Sequence, residues 1–150
     1  MSKIAIASDH AGFKLKEGLK QYLKAKGLTV QDLGTNSQES CDYPNFAYAL
    51  AKTVSIGRVK KGILICKSGI GNSIVANKLP GVRAALSYNI KAARLSREHN
   101  DSNVLVLGSA FVTKRLAKLI TGIWLKTKFQ GGRHTRRLNL IKKIEKKIRS

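Results

Sequence analysis

Two spacings of apolar residues alternate along the chain. Short, nearly unbroken apolar runs at 3–8 (KIAIAS), 28–33 (LTVQDL), 61–66 (KGILIC), 82–87 (VRAALS) and 102–109 (SNVLVLGS) read as strands. Between them the apolar positions recur three and four apart. Phe13, Leu15, Leu19, Tyr22 and Leu23 fall on or near one face of a helix from about 13 to 26, which Gly27 ends. Pro44 suits the first turn of a second helix reaching about Ser55, and a third runs from about Asn72 to Lys78 before Pro80-Gly81. The stretches 89–100 (NIKAARLSREHN) and 113–127 (TKRLAKLITGIWLKT) read as further helices, with Trp124 expected against the sheet. A Gly131-Gly132 break then leads into a last, basic helix at about 134–149.

Strands alternating with helices define βαβ units, and right-handed crossovers place helices on both faces of a five-stranded parallel sheet. The continuous apolar run at 61–66 fits a central strand covered on both sides. In such sheets the ligand sits at the carboxyl ends of the strands. Asp9-His10, Cys66 to Gly71 and His99-Asn100-Asp101 each flank a strand, so the pattern allows all three to meet in one site. A length of 150 residues suits a single domain over 1–150.

Composition narrows the class. No apolar run approaches the roughly 20 residues of a membrane span, and the N-terminal MSKIAIASDH has too few apolar residues for a signal sequence. A cytoplasmic protein with reduced thiols is expected, and Cys41 and Cys66 show no zinc-ligand spacing. Charge is the unusual property: 29 Lys and Arg against 8 Asp and Glu give a formal +21. Such a field suits nucleic acid, an acidic membrane surface or a phosphorylated metabolite, and does not choose among them. Many of the lysines, as in KLKEGLKQYLKAKG, fall where an amphipathic helix faces solvent. Aromatic residues are not interleaved with them, which argues against a single-strand nucleic-acid platform.

The stretch CKSGIGNS (66–73) carries the densest chemistry. Glycines at a strand-to-helix turn present N–H groups and the positive helix end to an anion, with Ser68 and Ser73 adding hydroxyls. The same glycines would equally serve a tight turn, and the spacing is neither a Walker loop nor a dinucleotide fingerprint. Cys66 ends a strand beside Lys67 and a helix start, two features that lower a thiol's pKa; a small core residue is the alternative role. His10, His99 and His134 lie in polar contexts that do not read as core, and each suits acid–base work or phosphate binding. Arg133, Arg136 and Arg137 flank His134, as phosphate forks or as a surface charge run. Asp9 follows the first strand, while Asp42 precedes Pro44, where a helix cap is the plainer function.

DHAGFKLK, DYP at 42–44, ILICKSGIG, NKLPGVRAAL, SREHNDSNVLVLG and GGRHTRRL together resemble, in order and spacing, the family of ribose-5-phosphate isomerase B and galactose-6-phosphate isomerase subunits. The resemblance spans Lys3 to about Ile148. It implies a Rossmann-like three-layer α/β/α sandwich and the interconversion of ribose 5-phosphate and ribulose 5-phosphate without metal or organic cofactor. Galactose 6-phosphate and allose 6-phosphate are the alternative substrates, and a basic module binding nucleic acid the alternative class. Homodimers, sometimes paired into tetramers, would share residues across each active site. By the matched motifs, Cys66 is the base, and Ser68 with the N–H groups of Gly69, Ile70 and Gly71 stabilises the enediolate. His99 assists ring opening, with Asn100 beside it from the partner. Asp9 and Tyr43 contact the sugar, and His10, Arg133 and Arg137 bind phosphate. In one branch of the family a glutamate serves as base where Asn72 stands here. Two positions depart from the pattern: Lys67 replaces a usual glycine, and Ala110 a usual arginine.

Overall fold

The computed structural model describes residues 2–150. Its elements are β1 (Lys3–Ser8), α1 (Phe13–Ala25), β2 (Thr29–Asp32), α2 (Tyr43–Ser55), β3 (Gly62–Cys66), α3 (Ile70–Ala76), β4 (Ala84–Leu86), α4 (Ile90–Asn100), β5 (Val104–Gly108), α5 (Lys114–Lys126) and α6 (Arg133–Arg149), with a 3₁₀ turn at His10–Gly12. The strands form one parallel sheet in the order β2-β1-β3-β5-β4. Each predicted strand and helix is present. Differences are confined to ends: α3 begins at Ile70 rather than Asn72, and β4 and β5 are shorter than the apolar runs that announced them.

Alternation along the strands builds two cores. Ile4, Ile6, Ile63, Ile65, Leu105 and Leu107 face α1, α4 and α5, where Leu19, Ala93, Ile120 and the fully buried Trp124 meet them. Ala5, Ala7, Leu64, Val104 and Val106 face α2 and α3, against Ala47, Leu50 and Ala76. The three layers follow from this division. Cys66, two residues beyond Leu64 in the same strand, projects toward α2 and α3.

One lysine departs from the solvated-face reading. Lys16 is fully buried; its Nζ lies 2.6 Å from Asp32 Oδ2 and 3.2 Å from Glu17 Oε2. Lys20 joins the same Asp32 oxygen at 2.8 Å, and Asp32 Oδ1 accepts from Gly34 N–H at 2.9 Å. The ammonium sits under the end of β2 because α1 crosses there, and the paired carboxylate offsets its desolvation.

Candidate active site

Strand order decides where a ligand can enter. From β1 the chain steps to β2 on one side and later to β3 on the other, so a crevice opens between the carboxyl ends of β1 and β3. Asp9 and Cys66 stand at those two ends. They line a cavity of about 420 Å³ with Tyr43, Ser68, Ile70 and Gly71, while Lys67 occupies its exposed rim. A larger cavity of about 680 Å³ opens at the opposite edge of the sheet, where Lys3, Lys26, Arg58, Lys60, Lys61 and Lys126 contribute to its lining. Its lining holds no thiol, carboxylate or imidazole, whereas the smaller one has the Cys66 thiol and the Asp9 carboxylate.

Each wall of the smaller cavity has a local cause. Asp9 is 7% exposed, and its Oδ1 accepts from Gly12 N–H at 3.1 Å, which caps the 3₁₀ turn and fixes the carboxylate. A Cβ at Gly12 would lie 2.7 Å from the Ile65 carbonyl oxygen, so only glycine lets this turn close on β3. Tyr43 opens α2 and packs its ring against the bare Cα of Gly71. His10, next to Asp9 but outside that lining, accepts at Nδ1 from Cys41 N–H at 3.2 Å, which leaves the proton of the neutral ring on Nε2 as a donor.

The turn after β3 is more internally bonded than its glycines suggest. Gly69 N–H donates to Cys66 Sγ at 3.2 Å, and Ile70 N–H donates to Ser68 Oγ at 3.1 Å. Among the described residues nothing accepts from the Gly71 N–H. The Ser68 hydroxyl proton and the Gly71 N–H are thus the donors of this turn left for a bound oxygen. Cys66 also differs from its sequence reading. Burial pushes its thiol above the ordinary value and Asp9 adds to that, against the downward pull of the Asn72, Gly69 and Ser68 N–H groups. Desolvation outweighs the helix terminus, and Lys67 faces the rim instead of acidifying the sulfur.

His99, Asn100, Arg133 and Arg137 are elsewhere. α4 runs antiparallel to the strands, so His99 and Asn100 finish at the amino edge of β5. Four residues of β3 separate that edge from Cys66, about 13 Å at strand rise. The three polar clusters therefore do not meet within one chain. Arg133 and Arg137 lie exposed on the first turns of α6, near His134. His134 departs from the expectation that it is not a core residue: it is 5% exposed and stacks on His99 with centroids 4.3 Å apart and rings 15° from parallel. Burial, then His99, Arg133 and Arg137, depress its pKa. Among the described residues no group of three or more His, Cys, Asp or Glu could hold a metal ion, and no helix is long and apolar enough to cross a membrane.

Sequence reasoning missed Tyr88, whose hydroxyl donates to the Ser68 carbonyl at 2.8 Å. Nothing local to the residues around it signals the contact.

The comparisons with known proteins converge on one group. Residues 4–141 match the family model described as ribose/galactose isomerase. Ribose-5-phosphate isomerase B of Escherichia coli is 46% identical over 147 residues, covering 98% of this chain and 99% of that protein. The structure of the Clostridium thermocellum ribose-5-phosphate isomerase B superposes with a TM-score of 0.95 at 50% identity, covering 97% and 99% of the two chains. The Mycoplasma genitalium ribose-5-phosphate isomerase B with bound ribulose 5-phosphate gives 0.93 at 44% identity and 96% coverage of both. With the crevice, the turn after β3 and near-complete coverage all in agreement, the chain belongs to the ribose/galactose isomerase family.

Proposed function

We propose that this protein interconverts ribose 5-phosphate and ribulose 5-phosphate by moving a proton between C1 and C2 of the open-chain sugar. The observation that carries the reading is the pairing of a base candidate and unspent donors on one turn. Cys66 faces the cavity, and the Ser68 hydroxyl and Gly71 N–H are free to receive the oxygen on which charge develops. A proton next to a carbonyl is weakly acidic, so removing it needs a positioned base and donors that strengthen as the enediolate forms. In this scheme the Cys66 thiolate takes the proton from C2 of the aldose and returns it to C1, while the hydroxyl proton on O2 passes to O1, so the C1 carbonyl becomes a hydroxyl and the C2 hydroxyl a carbonyl. Ser68, with the turn's N–H groups at Gly69, Ile70 and Gly71, stabilises the enediolate; Gly69 and Ile70 act indirectly, through the thiolate and the Ser68 hydroxyl. Asp9 and Tyr43 hold sugar hydroxyls, and His10 offers Nε2–H to the phosphate.

The remaining roles fall to a second copy of the chain. His99 would open the furanose ring, Asn100 would support it, and Arg133 and Arg137 would bind phosphate in the partner's cavity. Their position on the opposite edge from Cys66 supports an active site assembled from two protomers. So does α6, where Leu140, Ile141, Ile144 and Ile148 are exposed at 47–78%, an apolar stripe of the kind a partner covers.

Isomerisation of ribose 5-phosphate, compared with galactose 6-phosphate and allose 6-phosphate, tests the substrate. Complementation tests the assembly: Cys66→Ala and His99→Ala chains should each be inactive. Unfolded together and refolded in equal amounts, they should recover about a quarter of wild-type activity, from the one intact site of each mixed dimer. Failure to recover activity, with mixed dimers present, refutes the shared site; absence of turnover on every sugar phosphate refutes the isomerase reading.

A further inference from the structure

Three consecutive carbonyls of the turn after β3 are each held by a donor. The Cys66 carbonyl accepts from Ser109 N–H at 2.9 Å, the Lys67 carbonyl from Ala110 N–H at 2.9 Å, and the Ser68 carbonyl from the Tyr88 hydroxyl at 2.8 Å. The first two continue the β3–β5 ladder through the backbone, so substitution of side chains leaves them available. The third comes from a side chain in the loop after β4 and can be deleted by losing one atom.

A peptide group is planar and trans, so its C=O and N–H point in opposite directions. The Ser68 carbonyl and the Gly69 N–H belong to the same peptide group. While the carbonyl is turned to Tyr88, the N–H is turned to the Cys66 sulfur, 3.2 Å away. Gly69 holds φ +84°, and a half-turn of this peptide would carry it into the negative-φ region open to every residue and aim the carbonyl oxygen at the sulfur instead, so the backbone itself does not hold the observed orientation. Tyr88 is itself restrained. Its ring stacks on Phe111 with centroids 4.6 Å apart and planes 20° from parallel, which also accounts for an aromatic residue left 57% exposed at position 111. Tyr88 is not part of the cavity lining, so its influence on the reaction passes through the turn.

We propose that Tyr88 is a positioning residue for the base: by holding the Ser68 carbonyl it keeps the Gly69 N–H on the Cys66 sulfur and so stabilises the thiolate that receives the substrate proton. The inference rests on Cys66 being that base.

Tyr88→Phe tests it, because the ring and its stack on Phe111 remain and only the hydroxyl is lost. In a Cys41→Ser background Cys66 is the single thiol, and the pH dependence of its alkylation by iodoacetamide reports thiolate formation without requiring isomerase activity. The midpoint is expected to rise by about one pH unit, with kcat at pH 7 falling about tenfold and KM changing less than about twofold. Tyr48→Phe, which removes an exposed hydroxyl on α2, should move neither quantity. An unmoved alkylation midpoint overturns the proposal, whether or not kcat falls. A wild-type chain that turns over no sugar phosphate would refute the isomerase reading alone, since the alkylation midpoint would still decide the effect of Tyr88 on the thiol.

Discussion

The upward shift of the Cys66 thiol makes a quantitative demand on the pH profile. A thiol at its ordinary 9.0 is only about 1% ionised at pH 7. Burial is the largest influence on this one and moves it higher still, with Asp9 acting in the same direction and the N–H groups of Asn72, Gly69 and Ser68 opposing. If the thiolate is the base, kcat/KM should therefore climb about tenfold for each pH unit between 7 and 9 and show no plateau below about pH 9. The substrate does not produce that slope, because a phosphate monoester is already mostly dianionic above about pH 7. Initial rates of ketose formation from ribose 5-phosphate at subsaturating concentration, between pH 6 and 10, give the profile directly. A plateau reached by about pH 8 in the wild-type chain would show that the free enzyme acidifies its thiol, against the effect of burial. The slope should also disappear from any residual activity of Cys66→Ala; its persistence would assign the limb to another group.

Two further outcomes follow from the packing. Lys16→Met should cost about 2 kcal/mol in urea denaturation at pH 7, less than the 3–5 kcal/mol for breaking an isolated buried pair because Asp32 keeps Lys20 and the Gly34 N–H. Burial raises the Asp32 pKa, but bonds to Lys16, Lys20 and Gly34 N–H outweigh it and hold the group below 3.8. Its contribution is thus present above that value and lost as pH falls through the lowered pKa. The acid limb of stability should be shallower in Lys16→Met, and an unchanged limb would refute the assignment. Gly108→Ala should lower stability by about 1–3 kcal/mol and kcat by at least about tenfold, because a Cβ there runs into the Ser68 carbonyl and must displace the turn. Wild-type kcat in a folded Gly108→Ala chain would show that the turn tolerates the shift.

The alternation of strand and helix periods, the glycine turn after 61–66 and the ordered motifs were enough to establish the α/β class and the strand inventory, and to single out one wall of the candidate site. These are legible because periodicity records which face of an element is buried, and because turn chemistry is local. What lies across from a residue is not local. Lys16 looks like its solvated neighbours until α1 crosses the end of β2 and Asp32 meets it. His99 and Asn100 end a helix just before a strand, and the direction of α4 carries them to the edge away from Cys66. Tyr88 reaches Ser68 only because β5 lies between β3 and β4, bringing the loop after the edge strand over the turn after the central one. The acidity of Cys66 is the sharpest case. Lysine and a helix start beside it in sequence point to a lowered pKa, whereas the enclosure made by two helices and the Asp9 carboxylate raises it. Burial is a property of everything packed around an atom, so only the tertiary structure could decide it.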